Sequence, residues 1–318
     1  MKAVVHRPGV GLGELFCAEL AEPTIAPGHV KVRVTCASLG EHHLTGMSKA
    51  GRPYVPGTEF TGQVVATSPE VTGFEPGDHV FGLVRHGALA ELVIAPTAGV
   101  FVLGPGTRAE LAAALPVSTV IASFALEECG ASPGERVVVS CDAGPTALIL
   151  GGLARLHGLR PIAVARHAVQ VDALASAYDE VVLSTDEPPS VGVLRLTDGA
   201  GVPYVLDLNG ALGLDETWRM LTTGGTLVRS ARMPPLVADS AQALRRFDAL
   251  DARRIEYDVM ATIPRRFEEA VERVREVLRL AHEGRINVPI TRLAAAHVEQ
   301  ALPLLRREVN VGRIVIDF

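Results

Sequence analysis

The chain has 318 residues, which at roughly 150 residues per domain is enough for two domains. Its residues are 48% hydrophobic and 21% charged, the balance of a globular chain with a sizeable core and not of a disordered one. The 30 basic and 36 acidic residues leave a net charge of −6, which makes the chain a poor candidate for binding a phosphate backbone, where clustered positive charge is needed.

The opening stretch MKAVVHRPGVGLGE has no apolar signal core and turns at once to Pro and Gly, so a cytoplasmic location is expected. The first hundred residues read as strands and turns. Val30 to Val34 (VKVRV) alternates apolar and polar, as a half-buried strand does. Phe60 to Ala66 is a second strand, Gly73 to Asp78 a turn into the apolar run His79 to Leu83, and Ala88 to Ile94 a further strand closed by Pro96. Short runs separated by Gly and Pro predict a compact β barrel or sandwich. The longest apolar stretch, Leu111 to Leu126, is broken by Pro116, Ser118 and Ser123, so no membrane span is expected.

At about residue 117 the texture changes. A helix is predicted over Val117 to Glu128, and then a strand over Arg136 to Ser140 whose run of valines suits burial on both faces. Thr146 to His157 (helix), Ile162 to Ala165 (strand), Val169 to Ala177 (helix) and Glu180 to Leu183 (strand) follow. Pro203 to Leu208 (strand), Leu214 to Leu221 (helix) and Thr226 to Arg229 (strand) complete an alternation that implies βαβ units and a parallel sheet. Arg254 to Met260 adds one more strand. Pro264 to Glu283 reads as a helix with Phe267, Val271, Val274 and Leu278 on one face and Gly284 past its end. Asn310 to Phe318 is again a strand, able to pair with the first β region. The fold class is therefore α/β, with a β domain over 1–118 and 286–318 interrupted by an α/β domain over 119–285.

The α/β insert opens as strand, turn and helix, with the turn Asp142-Ala143-Gly144-Pro145-Thr146-Ala147 where a dinucleotide fold has G-x-G-x-x-G/A. Gly144 lets the backbone approach a pyrophosphate at the helix N-terminus, and Ala147 is an accepted third residue. Asp142 holds the first glycine's place and sets a carboxylate where two phosphate charges would lie. Near the next strand end stand Arg166 and His167 with no acid, which favours a 2′-phosphate and hence NADPH over NADH. A βα turn capped by Asp142, with Arg166 as a solvated cation, remains the alternative. The four cysteines, Cys17, Cys36, Cys129 and Cys141, make no C-x-x-C pair, which argues against a zinc lobe and a disulfide framework.

Several longer motifs carry a family resemblance. They include Pro56-Gly57-Thr58-Glu59-Phe60-Thr61-Gly62, then Gly73-Phe74-Glu75-Pro76-Gly77-Asp78-His79-Val80-Phe81-Gly82, and Gly87-Ala88-Leu89-Ala90-Glu91. Ala113-Ala114-Leu115-Pro116, Pro133-Gly134-Glu135-Arg136-Val137, Gly224-Gly225-Thr226-Leu227-Val228 and Gly312-Arg313-Ile314-Val315 continue them. With these the chain resembles the medium-chain dehydrogenase/reductases, within them the zinc-free quinone and enoyl reductases. The resemblance implies a GroES-like β-barrel catalytic domain plus an inserted Rossmann-type doubly wound parallel sheet domain. It further implies a homodimer formed through the strand Arg254 to Met260, and a small-molecule substrate.

The zinc-dependent branch carries a Cys and a His at the positions of Gly40 and Thr58, neither of which is a thiolate or imidazole donor, so no metal is expected. Adjacent side chains in Glu41-His42-His43 point apart, which argues against a metal site there. The zinc-free branch usually has Asn at the Gly40 position, and its loss counts against the cofactor site, as Asp142 does. Asn209 and Gly210 match the loop beside the nicotinamide ribose; Ser230, Asn310 and Arg313 also fall where the family approaches the cofactor. The substrate cleft is assigned to Gly40 to Tyr54, Val84 to His86 and Ser230 to Met233. The implied activity is NADPH-dependent reduction of an enone, enoyl or quinone, with Tyr54, His43 or His86 as proton donor. A non-redox cyclase, isomerase or lyase using Glu41, His42 and His43 for acid–base work, and a non-catalytic binding homologue, stay as alternatives.

Overall fold

The computed structural model describes residues 1–45, 53–140, 142–231, 239–306 and 310–318. The chain divides into two units, Met1–Val117 with Pro289–Phe318, and Ser118–Val288. The first unit begins with β1 (Lys2–Arg7) and β2 (Glu14–Glu19), continues through β3 (His29–Leu39), β4 (Glu59–Thr67), β5 (His79–Leu83), β6 (Leu92–Pro96) and β7 (Val100–Val102). The second contributes β8 (Arg136–Ser140), β9 (Arg160–Ala165), β10 (Glu180–Leu183), β11 (Val202–Asp207), β12 (Leu221–Ser230) and β13 (Arg253–Tyr257). The chain then returns to the first unit with β14 (Ile290–Ala294) and β15 (Arg313–Asp317).

In the first unit β1 and β2 form an antiparallel hairpin, while the larger sheet runs β14-β15-β3-β4-β5-β7. The long strand β3 serves two neighbours along its remaining edge. His29 to Arg33 pair with β6, and Cys36 to Leu39 pair with β15, so the C-terminal strand completes the sheet that the N-terminal residues begin. Leu39, Phe60 and Leu89 are fully buried in its core, with Val30, Val32, Val80 and Ile316 around them. The strand expected over Ala88 to Ile94 starts only at Leu92. Residues 88–91 instead bond one at a time to β1 and β3: Leu89 O accepts from Val4 N, Glu91 N donates to Lys2 O, and Glu91 O accepts from Val34 N, at 2.8–2.9 Å.

The second unit is a six-stranded sheet in the order β10-β9-β8-β11-β12-β13, with every neighbouring pair parallel. Both faces of such a sheet are covered by crossover helices, so its strands must be apolar on both sides; Val137, Val138 and Val139 of β8 are each 0% exposed. Sequence order reverses direction between β8 and β11, the topological switch point at which doubly wound sheets bind ligands. The helix Pro145–Leu156 packs its buried Leu148, Ile149 and Leu150 directly after β8. One predicted element ends early: the strand after residue 253 stops at Tyr257, because Asp258 caps the helix Val259–Thr262, accepting from Met260 N at 2.9 Å. Pro264 lies in a 3₁₀ turn ahead of the helix Phe267–His282. Neither Phe267, which is 39% exposed, nor Val271 joins the buried residues, which are Ala270, Val274, Val277, Leu278, Leu280 and Ala281. Helical side chains lean towards the N-terminus, so a first-turn residue leans past the packed layer.

Candidate functional site

The switch point is built by residues whose partners are far apart in sequence. Ser140 ends β8 and pairs in register with Asp207, the last residue of β11. Asp207 Oδ1 accepts the backbone N–H groups of Ala211 (3.0 Å) and Leu212 (3.5 Å), which folds the next loop back over the strand end. Gly210 turns that loop with φ +70°, a conformation that a β-carbon would strain. Asn209 Oδ1 is then satisfied by Ser140 Oγ at 3.2 Å and by Ala211 N at 3.2 Å. Its Nδ2 is buried with no hydrogen-bond partner among the described residues. A buried donor costs free energy unless something accepts from it, so this amide group is poised for an acceptor at the switch point.

Across from it, Gly144 caps the helix Pro145–Leu156 in extended conformation, and a β-carbon there would meet nothing within 4 Å. Pro145 sits at the first helical position, and Thr146 and Ala147 follow in the first turn, where helix geometry directs backbone N–H groups outward. The Asp142 carboxylate does not fill this space. Its Oδ1 accepts from Arg166 Nε at 3.0 Å and Nη2 at 2.8 Å. Arg166 itself is set by Gln170, whose Oε1 accepts the backbone N–H groups of Arg166 (3.1 Å) and His167 (3.2 Å), closing a capping box on His167. Asp142, Gly144, Pro145, Thr146, Ala147, Arg166, His167, Asn209 and Gly210 thus gather at the carboxyl ends of β8, β9 and β11. These groups suit a dinucleotide: open space over a helix N-terminus, a buried amide donor and a guanidinium.

Ser230 ends β12 and lines a cavity of about 230 Å³ that shares Asp207 and Gly210 with the switch point and adds Arg229, Asp239, Arg254 and Glu256. There Arg229 grips Asp239 with two bonds of 2.8 and 3.1 Å and holds its Nε 3.9 Å from Asp207 Oδ2. Burial pushes the Asp207 carboxyl up, against the pull of the Arg229 charge. Arg232 and Met233 of the assigned cleft, residues 46–52 and Cys141 lie outside the described residues.

In the first unit, His43 is 1% exposed and joins Gly40 to Thr58. Gly40 N donates to His43 Nδ1 at 3.1 Å, which places the ring proton on Nε2; this donates to Thr58 Oγ1 at 2.9 Å. An imidazole therefore spans the two positions that bear zinc ligands in the metal-dependent branch. Both its nitrogens are committed, and burial, then the His42 ring and the Arg313 charge, hold it well below the usual histidine range. The His42 and His43 rings lie 4.0 Å apart, so these neighbours converge where the sequence suggested divergence. The short helix His42–Thr45 carries them, and Gly40 leaves them room: a β-carbon there would lie 2.7 Å from His42 Cε1 and 2.6 Å from Arg313 Nη1. An asparagine at this position would require the His42 ring and the Arg313 guanidinium to shift. Surrounding protein, then the Arg313 charge, push His42 down to about 4. The surface of His42 is open to solvent, which tempers the first cause and leaves the cation to keep the ring neutral at pH 7.

Beside this pair, Glu59 is wholly buried; its Oε2 accepts from Ser38 Oγ at 3.1 Å and its Oε1 from Val117 N at 2.9 Å. Burial pushes Glu59 up, opposed by the buried Arg313 guanidinium of β15. Tyr54 donates its hydroxyl proton to His43 O at 2.5 Å, and partial burial pushes its pKa up. His86 and Glu41 are exposed, and Asn310 is half-buried ahead of β15. No group of three or more His, Cys, Asp or Glu is placed to hold a metal among the described residues. Burial pushes the thiol of Cys36 up to about 11 and that of Cys129 up to about 12, so neither is a nucleophile at neutral pH. No helix among the described residues is long and apolar enough to cross a membrane. Gln170 had not been singled out, and Thr58 had been named only as a position that lacks a zinc ligand. The spacing His167 to Gln170 is that of a capping box and marks Gln170, but the Thr58 hydroxyl owes its role to a histidine 15 residues away.

Residues 26–122 match the family model of the alcohol dehydrogenase GroES-like domain, and residues 177–316 that of the zinc-binding dehydrogenases. The chain is 30% identical over 306 residues to the spectinabilin polyketide synthase system protein NorB of Streptomyces orinoci, covering 94% of this chain and 14% of that protein. It is 30% identical over 241 residues to quinone oxidoreductase-like protein 2 of Bos taurus, covering 67% and 66% of the two chains. The mycobacterial protein Rv1454c, solved in complex with NADPH, superposes over 100% of both chains with a TM-score of 0.85 at 25% identity.

Proposed function

As this chain belongs to the medium-chain dehydrogenase/reductase superfamily, in its quinone oxidoreductase-like branch, we propose that it is a metal-independent NAD(P)H-dependent reductase of activated C=C bonds or quinones. The observation that carries this reading is the switch point itself, where open space over Gly144 follows β8 and the Asn209 amide donor, without a hydrogen-bond partner among the described residues, follows the neighbouring β11. NADPH is the favoured form, supported by Arg166 at the end of β9 and by the NADPH complex of the mycobacterial relative. A reduced nicotinamide bound to these residues supplies a hydride to the β-carbon of an enone or to a quinone.

The protein's own task is to orient the substrate and stabilise the oxyanion that results. Thr58 suits the second task. Its oxygen accepts from His43 Nε2–H, which leaves its own proton to be donated outward. His43 holds that orientation from behind and does not exchange protons, since both nitrogens are engaged and its pKa lies far below neutrality. The same geometry disfavours the non-redox reading, because a neutral, doubly bonded His43 is neither a free acid nor a free base. Tyr54 likewise spends its proton on a backbone carbonyl.

A homodimer is part of this reading. Strand β13, Arg253-Arg254-Ile255-Glu256-Tyr257, closes one edge of the six-stranded sheet. Antiparallel pairing of two copies about Ile255 sets Arg254 of one opposite Glu256 of the other, covering an edge that would otherwise template aggregation. Light scattering at micromolar concentration should report a dimer, and a monomer overturns the assembly. The activity is tested with 4-deuterated NADPH and small panels of enones and quinones. Deuterium should appear at the β-carbon of a reduced enone, or hydroquinone should form in step with NADPH oxidation, its O–D exchanging with water; no turnover of either panel, with no cofactor binding by calorimetry, overturns the reading.

A further inference from the structure

The ion pair between Asp142 and Arg166 lies within the proposed cofactor site and bears on which cofactor that site selects. We propose that Asp142 is a specificity-determining residue: an internal carboxylate that occupies the arginine otherwise available to a 2′-phosphate, so that the preference for NADPH is set by exchange of one anion for another on Arg166. The inference rests on the reductase reading and adds to it a residue and a direction.

Three observations carry it. Asp142 Oδ1 takes both Nε and Nη2 of Arg166, at 3.0 and 2.8 Å, so one of the two edges by which the guanidinium can receive a phosphate bidentately is already engaged and its charge is partly neutralised. Gln170 pins the backbone N–H groups of Arg166 and His167, so the strand end is fixed and only side chains need to move for the exchange. The Asp142 carboxylate turns towards Arg166 and leaves the space over Gly144 open, so its charge acts first at the 2′-phosphate position and only secondarily at the pyrophosphate.

This departs from the simple electrostatic expectation, in which a carboxylate in the first glycine's place weakens NADH and NADPH alike. Without a 2′-phosphate, NADH leaves the ion pair intact. NADPH has to displace Asp142 from the Nε and Nη2 edge, or share the guanidinium with it, when the phosphate pairs with Arg166. The pair is only partly buried, with side-chain exposures of 29% and 42%, so it opens at modest cost. The outcome is a chain with an arginine in the NADPH-selecting position and a muted NADPH preference.

The test is calorimetric titration of the wild type, Asp142→Asn, Arg166→Ala and the double variant with NADPH, NADH, 2′,5′-ADP and 5′-AMP. Asp142→Asn removes the charge and keeps the volume. It should tighten NADPH and 2′,5′-ADP by about tenfold while NADH and 5′-AMP change less than about twofold, the size of one charge-assisted contact. Arg166→Ala, alone or with Asp142→Asn, should abolish the discrimination. Equal tightening of all four ligands overturns the proposal and places the Asp142 charge at the pyrophosphate; weaker NADPH binding overturns it and makes Asp142 a support for Arg166. Failure of every variant to bind any ligand, with unchanged circular dichroism, overturns the cofactor reading itself and this inference with it. Binding of the cofactors without a change in their ratio overturns this inference alone.

Discussion

Replacing His43 by glutamine changes how stability depends on pH, by an amount that follows from its position. His43 is 1% exposed, its Nδ1 faces the Gly40 N–H at 3.1 Å, and the Arg313 charge lies nearby. Protonating Nδ1 sets donor against donor beside a cation, so the folded protein keeps this ring neutral far below its usual pKa. The unfolded chain takes up the proton with a pKa of about 6.5. A group whose folded pKa is depressed contributes stability above the unfolded pKa and loses it as the pH falls, because the unfolded state then binds more protons. From pH 7.5 to 5.0 this one histidine should withdraw up to about 2 kcal/mol, the limit set by uptake of a proton in the unfolded chain alone over 1.5 units below 6.5. Glutamine does not titrate and retains a donor and an acceptor for Thr58 and Gly40. The variant is therefore expected to be less stable than wild type at pH 7.5 and to narrow that gap, or reverse it, by up to about 2 kcal/mol at pH 5.0. Urea unfolding at the two pH values reads the difference directly. A gap that stays constant between pH 7.5 and 5.0 refutes the neutral, buried imidazole.

Thr58→Val should lower kcat for enone or quinone reduction by about a hundredfold while Thr58→Ser retains most of it, as expected for loss of one oxyanion donor; unchanged kcat in the valine variant removes Thr58 from the reaction. Gly151→Ala sets helix propensity against packing. A β-carbon there would lie 2.5 Å from the ring of Tyr178, which is 2% exposed and held by its hydroxyl to Ala147 O at 2.8 Å, so the variant should lose about 1–3 kcal/mol in urea unfolding despite a propensity gain of about 1 kcal/mol. A stabilised variant shows that the ring moves aside. Metal analysis of the purified protein should find zinc far below one atom per chain, because Gly40 and Thr58 offer no thiolate or imidazole where the zinc branch has its ligands; stoichiometric zinc contradicts this.

The sequence by itself determined the architecture. The alternation of β-branched runs with helical segments after residue 117 encodes a parallel sheet, because both faces of each strand have to be apolar and each crossover helix needs its own amphipathic stretch. The run Val137-Val138-Val139 followed by Gly144-Pro145 located the first strand and helix of that sheet from local chemistry alone. Short-range signals of this kind survive in a single sequence because the residues that make them are neighbours. Only the tertiary structure decided the chemistry of the sites. Asp142 reads as a repulsive charge in sequence; 24 residues separate it from Arg166, and only the return of β9 beside β8 lets the two neutralise each other. Gly40 reads as a lost asparagine until Arg313, from the far end of the chain, and the His42 ring are seen to lie against the place where a side chain would begin. His43 reads as a proton donor until Gly40 and Thr58 claim both its nitrogens. Each of these roles is a balance of charge and space between groups brought together by strand order, and that balance exists only once the sheets have formed.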